Sequence, residues 1–246
     1  MDYSLLTADQ LLAANGVILI GAILQAATGL GSGLMVVPLL ALIDPRLVPG
    51  PVIFASLALS GVMAWRGRGE FRIASMNVAV LGMALGALAA ATVVSVVQTR
   101  YSGIAIGGLI LLAVAASVVG LRVRITPVNE LVAGGLAGFT GTVAAVGGPI
   151  LALLYQHEHG PRVRAKLAYL YMFGALAAMA ILHFTGLFRL PQLVLGLWLM
   201  PAFVVGYLAS GRVAAFLDRG YTRAAILVVS GGSAMILIGR SLQSLL

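Results

Sequence analysis

The chain has 246 residues, 61% of them hydrophobic and 9% charged, so it cannot clothe a water-facing surface of ordinary polarity. A soluble domain is excluded and lipid is the expected solvent. The net charge of +8 would suggest nucleic acid in a soluble protein, but here Lys and Arg fall in short breaks between apolar stretches, where they orient a chain in a membrane. Nucleic acid is therefore not an expected partner. The lack of Cys excludes disulfides, thiolate metal sites and thiol nucleophiles.

The first ten residues carry Asp2 and Asp9 and no Lys or Arg, so the basic start of a cleaved signal peptide is missing and the first apolar stretch is expected to be retained. Eight apolar stretches follow, at about residues 12–43, 51–65, 74–98, 102–121, 128–155, 167–184, 192–217 and 222–244. A crossing needs about 20 apolar residues. The first and fifth stretches are longer, and both are interrupted, by Gly29-Leu30-Gly31-Ser32-Gly33 and by Gly147-Gly148-Pro149. Both are expected to be broken helices rather than single crossings.

The sequence also repeats at a spacing of 116 to 120 residues: Asp44-Pro45-Arg46 matches Gly160-Pro161-Arg162, Phe71-Arg72-Ile73 matches Phe188-Arg189-Leu190, and Gly86 and Tyr101 match Gly206 and Tyr221. If all eight stretches cross once, Lys and Arg divide seven against eight between the two sides, which gives no bias. If the fifth folds back at Gly147-Gly148, the loops at 66–72, 122–124, 162–166 and 212–223 share a side with eleven, against four at Arg46, Arg100, Arg189 and Arg240. Positive charge marks the cytoplasmic side, so the fold-back is preferred. By the repeat, the first stretch folds back as well, and the halves lie in opposite orientations.

The expected fold is an all-α polytopic membrane bundle, a single integral membrane domain over residues 1–246. It holds two inverted repeats, about 11–121 and 128–246, with about eight to ten helical membrane segments. The expected location is the bacterial inner (plasma) membrane, with both termini on the non-cytoplasmic side.

After each glycine break a half-helix begins inside the membrane with unsatisfied N–H groups and a partial positive charge, which together suit an anion. Pro149 is expected at the first helical position and Ser32 at an N-cap, with Ser32 and Gly148 equivalent under the repeat. Glycine lets an anion reach the main chain. The candidate substrate-binding residues are Gln25, Thr28, Gly29, Gly31, Ser32, Gly33, Thr140, Thr142, Gly147, Gly148, Pro149 and Ile150. Ser56, Asn77, Tyr169 and Tyr171 are candidates for a path to either surface. Gly82 to Gly86 and Gly103 to Gly107 are read as helix-packing surfaces. Trp65, Tyr101, Tyr207 and Tyr221 are read as interfacial anchors.

His157, Glu158 and His159 are consecutive, which rarely lets three ligands converge on one ion, so a solvated loop is expected and no metal. His183 stands alone at a span end and is read as structural. No Ser-His-Asp set, Asp pair or HExxH occurs within the stretches, so catalysis is not expected. No cofactor is expected.

GLGSGLMVVPLL (Gly29 to Leu40) followed by DPR, together with GGLAGFTGTVAAVGGPILALL (Gly134 to Leu154), resembles the sulfite exporter TauE/SafE family of membrane transporters over nearly the whole chain. The resemblance implies duplicated halves, each opening with a Gly-rich, Pro-containing segment, and a substrate among sulfite, sulfonates such as sulfoacetate and other small organosulfur anions. Ser32 stands where a third glycine is common and Ala145 matches Gly29, so the half-sites are not equivalent. Expected partners are a small inorganic or organosulfur anion and membrane lipid, with a homo-oligomer left open. Two other readings stay open: a non-transporting membrane assembly partner, and a permease for another small anion or a metal ion.

Overall fold

A computed structural model describes residues 6–29, 31–96, 101–119, 123–158, 160–217 and 221–243. Leu30, Arg100, Arg122, His159 and Arg219, and the side chains of Arg212, Tyr221 and Arg223, lie outside this description. Among the described residues there are ten α-helices and no strand: α1 (Ala8–Thr28), α2 (Gly33–Ile43), α3 (Gly50–Arg66), α4 (Asn77–Val96), α5 (Ser102–Val119), α6 (Pro127–Ala144), α7 (Gly148–Tyr155), α8 (Gly160–Phe184), α9 (Leu190–Leu217) and α10 (Tyr221–Gln243). The first and fifth apolar stretches are each split in two. By length and composition five helices can cross a membrane: Ala8–Thr28, Ile73–Val94, Gly160–Phe184, Leu190–Gly211 and Ala224–Gln243. That is fewer than the eight to ten segments expected from sequence. The apolar helices Gly33–Ile43, Gly50–Arg66 and Ser102–Val118 are shorter, and α6 is diluted by Asn129, Glu130 and its glycines.

Leu12, Phe184 and Val228 are 72%, 84% and 74% exposed. Such large apolar side chains on the outside need lipid around them. The interior is held together by small residues that let backbones touch. On α4 and α6, a Cβ at Gly86 would strike the Gly135 carbonyl and one at Gly138 the Met83 carbonyl. Gly103 and Gly107 make the same close approach to Ser241 and Ile238 on α10. Without a hydrophobic force between helices in lipid, this contact supplies dispersion energy that bulkier residues would forfeit.

Both split stretches are helical hairpins. The helix α1 starts in a reciprocal cap, in which Thr7 Oγ1 accepts from the Gln10 N–H at 3.3 Å and Gln10 Oε1 accepts from the Thr7 N–H at 3.1 Å. It ends where Gly29 turns left-handed at φ +75° and donates its N–H to the Gln25 carbonyl at 2.7 Å. The chain then reverses, so that Gly21 abuts Val36 and Gln25 bonds Ser32. In the second hairpin Thr126 caps α6, whose end is the left-handed Ala145 at φ +53°. There the reversal brings Gly147 beside Ala137, and Tyr155 at the far end of α7 donates to Glu130 Oε1 at 3.0 Å.

The hairpins enter from opposite ends of the bundle. At one end Gly67 lies against Ala165, and the Phe71 and Tyr169 rings meet edge-on at 5.5 Å. The base of the second hairpin is at this end, beside the start of α8. At the other end Arg240 Nη1 donates to the Leu42 carbonyl at 3.3 Å and Gly50 lies against Phe188. There α2 finishes in the turn capped by Asp44, whose carboxylate accepts from the Arg46 N–H and guanidinium at 2.8, 2.9 and 2.7 Å. Those bonds hold the Asp44 carboxyl below its ordinary pKa. Around this frame α1 packs on α9 and α6 on α4, while α2 packs on α10 and α7 on α5.

Candidate functional site

The hairpin tips meet backbone to backbone. A Cβ on Gly148 would stand 3.0 Å from Gly31 Cα, and one on Gly33 would collide with the Ala145 carbonyl. Only glycine permits this approach. The Tyr171 hydroxyl of α8 stitches the junction: it accepts from the Gly31 N–H at 3.1 Å and donates to the Gly29 carbonyl at 3.1 Å. It also lies 3.1 Å from where a Gly148 Cβ would be.

Beside this junction is a cavity of about 90 Å³, lined by Gln25, by Gly31 to Leu34 where α2 begins, by Val146 to Gly148 where α7 begins, and by Ser56, Ser60 and Tyr171. One water needs about 10 to 15 Å³ on this measure, so the space takes an ion of several heavy atoms but not a drug-sized ligand. The first-turn N–H groups of a helix have no acceptor within that helix and carry its positive dipole end. Two such ends border the cavity.

Gln25 supplies a side-chain donor. It is 5% exposed, and its Oε1 accepts from both the Ser32 N–H at 2.9 Å and the Ser32 hydroxyl at 2.7 Å. A backbone N–H only donates, so the amide oxygen must face Ser32 and the NH2 group is turned away with no protein acceptor among the described residues. The hydroxyls of Ser56 and Ser60 donate to the carbonyls of Ile53 and Ser56, at 2.8 and 2.9 Å, and so present lone pairs. Among the described residues that line it there is no Asp, Glu, Lys, Arg or His.

Of the residues singled out from sequence, Gln25, Gly31, Ser32, Gly33, Gly147, Gly148, Ser56 and Tyr171 line this cavity. Gly29 lies just behind it, packed on the Arg164 stem: a Cβ there would stand 2.8 Å from Arg164 Cγ. Thr28, Thr140 and Thr142 donate to their own helices at the carbonyls of Leu24, Leu136 and Gly138, and Thr142 is fully buried away from the cavity. Pro149 borders a second cavity, of about 110 Å³, on the flank toward α5 and α10, which Gly31 and Leu34 share. Ile150 lines neither cavity. Asn77 is exposed at the start of α4. Tyr169 packs between Phe71 and Phe173, at 5.5 and 4.7 Å, rather than on a path.

Two local expectations shift. The helix α7 begins at Gly148 with Gly147 as its N-cap, so Pro149 is the second helical residue and not the first. Ser32 occupies the N-cap position of α2, but its hydroxyl makes no cap bond and instead fixes Gln25. The N-caps are thus Ser32 and Gly147, because the second break is one residue shorter than the first.

Sequence reasoning missed a polar cluster at the base of the second hairpin. Lys166, 4% exposed, meets Glu158 Oε1 at 2.5 Å and stands 4.9 Å over the Tyr155 ring, whose hydroxyl holds Glu130. Glu158 therefore fastens α8 to the hairpin instead of lying free in a loop, while His157 is exposed. A Glu and a Lys eight residues apart beside an apolar stretch, in a chain with so few charges, were the available signal. Among the described residues no group of His, Cys, Asp and Glu is arranged to hold a metal ion.

A family model described as sulfite exporter TauE/SafE matches residues 14–237. No curated protein and no solved structure matches the chain.

Proposed function

The chain belongs to the sulfite exporter TauE/SafE family, and from that membership we propose that it is a secondary transporter or facilitator that exports sulfite or an organosulfonate from the cytoplasm by alternating access. The observation that carries this reading is the small cavity between the hairpin tips, where two helix starts and the unspent NH2 group of Gln25 converge and none of the described lining residues is acidic. An anion there accepts hydrogen bonds from donors already in place and meets no like charge.

The packing supports two inverted repeats, about 11–121 and 128–246. Exchanging the halves turns the α1–α9 contact into α6–α4 and α2–α10 into α7–α5, while α3–α8 and α5–α10 map onto themselves. Hairpins that enter from opposite ends and meet at a shared site suit a protein in which one repeat rocks against the other. The cavity lies on that seam, so rocking would open it to each side in turn. Outward movement needs no coupling ion, because each negative charge that leaves an inside-negative cell gains about 2.3 kcal/mol per 100 mV.

Purified protein in proteoliposomes, tested with sulfite, sulfoacetate, sulfate and acetate, should move at least one sulfur anion above background, and that anion should raise the thermal stability of the protein in detergent. Background flux and no stabilisation by any of the four would overturn the proposal. If bulky residues at Gly31 or Gly148 then disrupted a complex with another membrane protein, the assembly-partner reading would replace it.

A further inference from the structure

We infer that the cavity takes a monovalent oxyanion, such as hydrogen sulfite or a sulfonate with a single charge, and rejects dianions; this deepens the anion-transport reading and rests on it. Among the described residues the positive field at the site comes from backbone helix starts, with the neutral Gln25 amide beside them. Each helix start contributes about half an elementary charge, so α2 and α7 together offer about one. That figure is an upper bound, because the carbonyl ends of α1 and α6 lie close by. They are partly quenched by the Gly29 N–H on the Gln25 carbonyl at 2.7 Å and the Ala145 N–H on the Gly141 carbonyl at 2.9 Å.

Among the described residues no cationic side chain lines the cavity. The Arg164 stem lies behind Gly29 and the residue does not line the cavity, and Lys166 is occupied by Glu158. Taking an ion out of water costs free energy that grows with the square of its charge, while its attraction to a fixed field grows only in proportion. Doubling the charge therefore raises the cost about fourfold and the gain about twofold. A field of one unit balances the first case and not the second.

Gln25 is the independent sign that a ligand belongs here: a side chain 5% exposed, with its orientation fixed by Ser32 and both amide protons unspent beside the cavity. A lone neutral amide serves one or two acceptor oxygens. The lone pairs of Ser56 and Ser60, whose protons go to main-chain carbonyls, accept the hydroxyl proton of hydrogen sulfite but repel the fully ionised oxygens of sulfite.

The test pairs two sulfonates of similar size that differ by one charge. In proteoliposomes of the full chain, isethionate, a monoanion, should be transported and sulfoacetate, a dianion near neutral pH, should move at least tenfold more slowly. Sulfite flux at fixed total concentration should fall about tenfold per pH unit above the second ionisation of sulfurous acid, following the monoanion. Isethionate should show no such fall, which controls for titration of the protein, where Tyr171 is the titratable group in the wall. Sulfoacetate moving as fast as isethionate, or sulfite flux that holds steady or rises with pH, would overturn the inference while leaving transport intact. Background flux for all three would instead remove the transport reading, and this inference with it.

Discussion

Tyr171 joins Gly29 and Gly31 to Gly148, which lies far from them in sequence, and its hydroxyl holds the Gly31 N–H, a donor that an anion at the tip would want. Removing it by Tyr171→Phe leaves the Gly31 N–H and the Gly29 carbonyl unpaired, at a cost of about 1 to 3 kcal/mol. In detergent without substrate the variant should melt below the parent. The freed N–H faces the cavity, so a transported anion should stabilise the variant more than the parent and narrow the gap. A gap that anion leaves unchanged would show that Gly31 takes no part in binding. Gln25 could be singled out from sequence because it sits seven residues before Ser32, within one hairpin. The partnership of Tyr171 with Gly31, 140 residues away, leaves no local trace. Thr28, Thr140 and Thr142 read as ligands because they flank the breaks, but a hydroxyl in an apolar helix bonds to the preceding turn when no other acceptor is near.

At the scale of elements, the breaks were legible because glycine and proline punctuate helices locally, and both hairpins turn where the glycines lie. The register of the second was less legible: a Gly-Gly pair offers two equivalent N-caps, and the left-handed turn at Ala145 gave no glycine to mark it. Helix packing follows the same small residues. Gly86 of α4 touches the main chain of α6, whereas Gly108 of α5 has nothing within 4 Å of its missing Cβ. Gly86→Ala should therefore force the two helices apart and destabilise the protein by about 1 to 3 kcal/mol. Gly108→Ala should be neutral or stabilise by up to about 1 kcal/mol through helix propensity. Thermal unfolding of the pair in one detergent checks this. Equal effects would mean that the α4–α6 contact is not what holds these helices together.

For the whole molecule, the distribution of charge gives an orientation that the packing makes testable. Arg66, Arg68, Arg72, Arg162, Arg164 and Lys166 lie toward the end where Gly67 meets Ala165, and Arg46, Arg189 and Arg240 toward the end where Arg240 reaches Leu42. Six of the eleven basic residues counted from sequence and three of the four are thus placed at opposite ends of one bundle. Basic residues are retained on the cytoplasmic side of a membrane, so the first end is expected inside the cell and the Asp44 turn outside. Since the chain contains no Cys, single cysteines can be added without altering the background. Gly69, with nothing within 4 Å, and Leu187, 47% exposed, are suitable positions at the two ends. A membrane-impermeant maleimide added to intact cells should label Leu187→Cys and spare Gly69→Cys until the membrane is opened. The opposite pattern would reverse the orientation but keep the inverted repeat. Labelling of both from outside would mean that the ends do not lie across a membrane from each other, and the inverted arrangement of the hairpins would then have no basis.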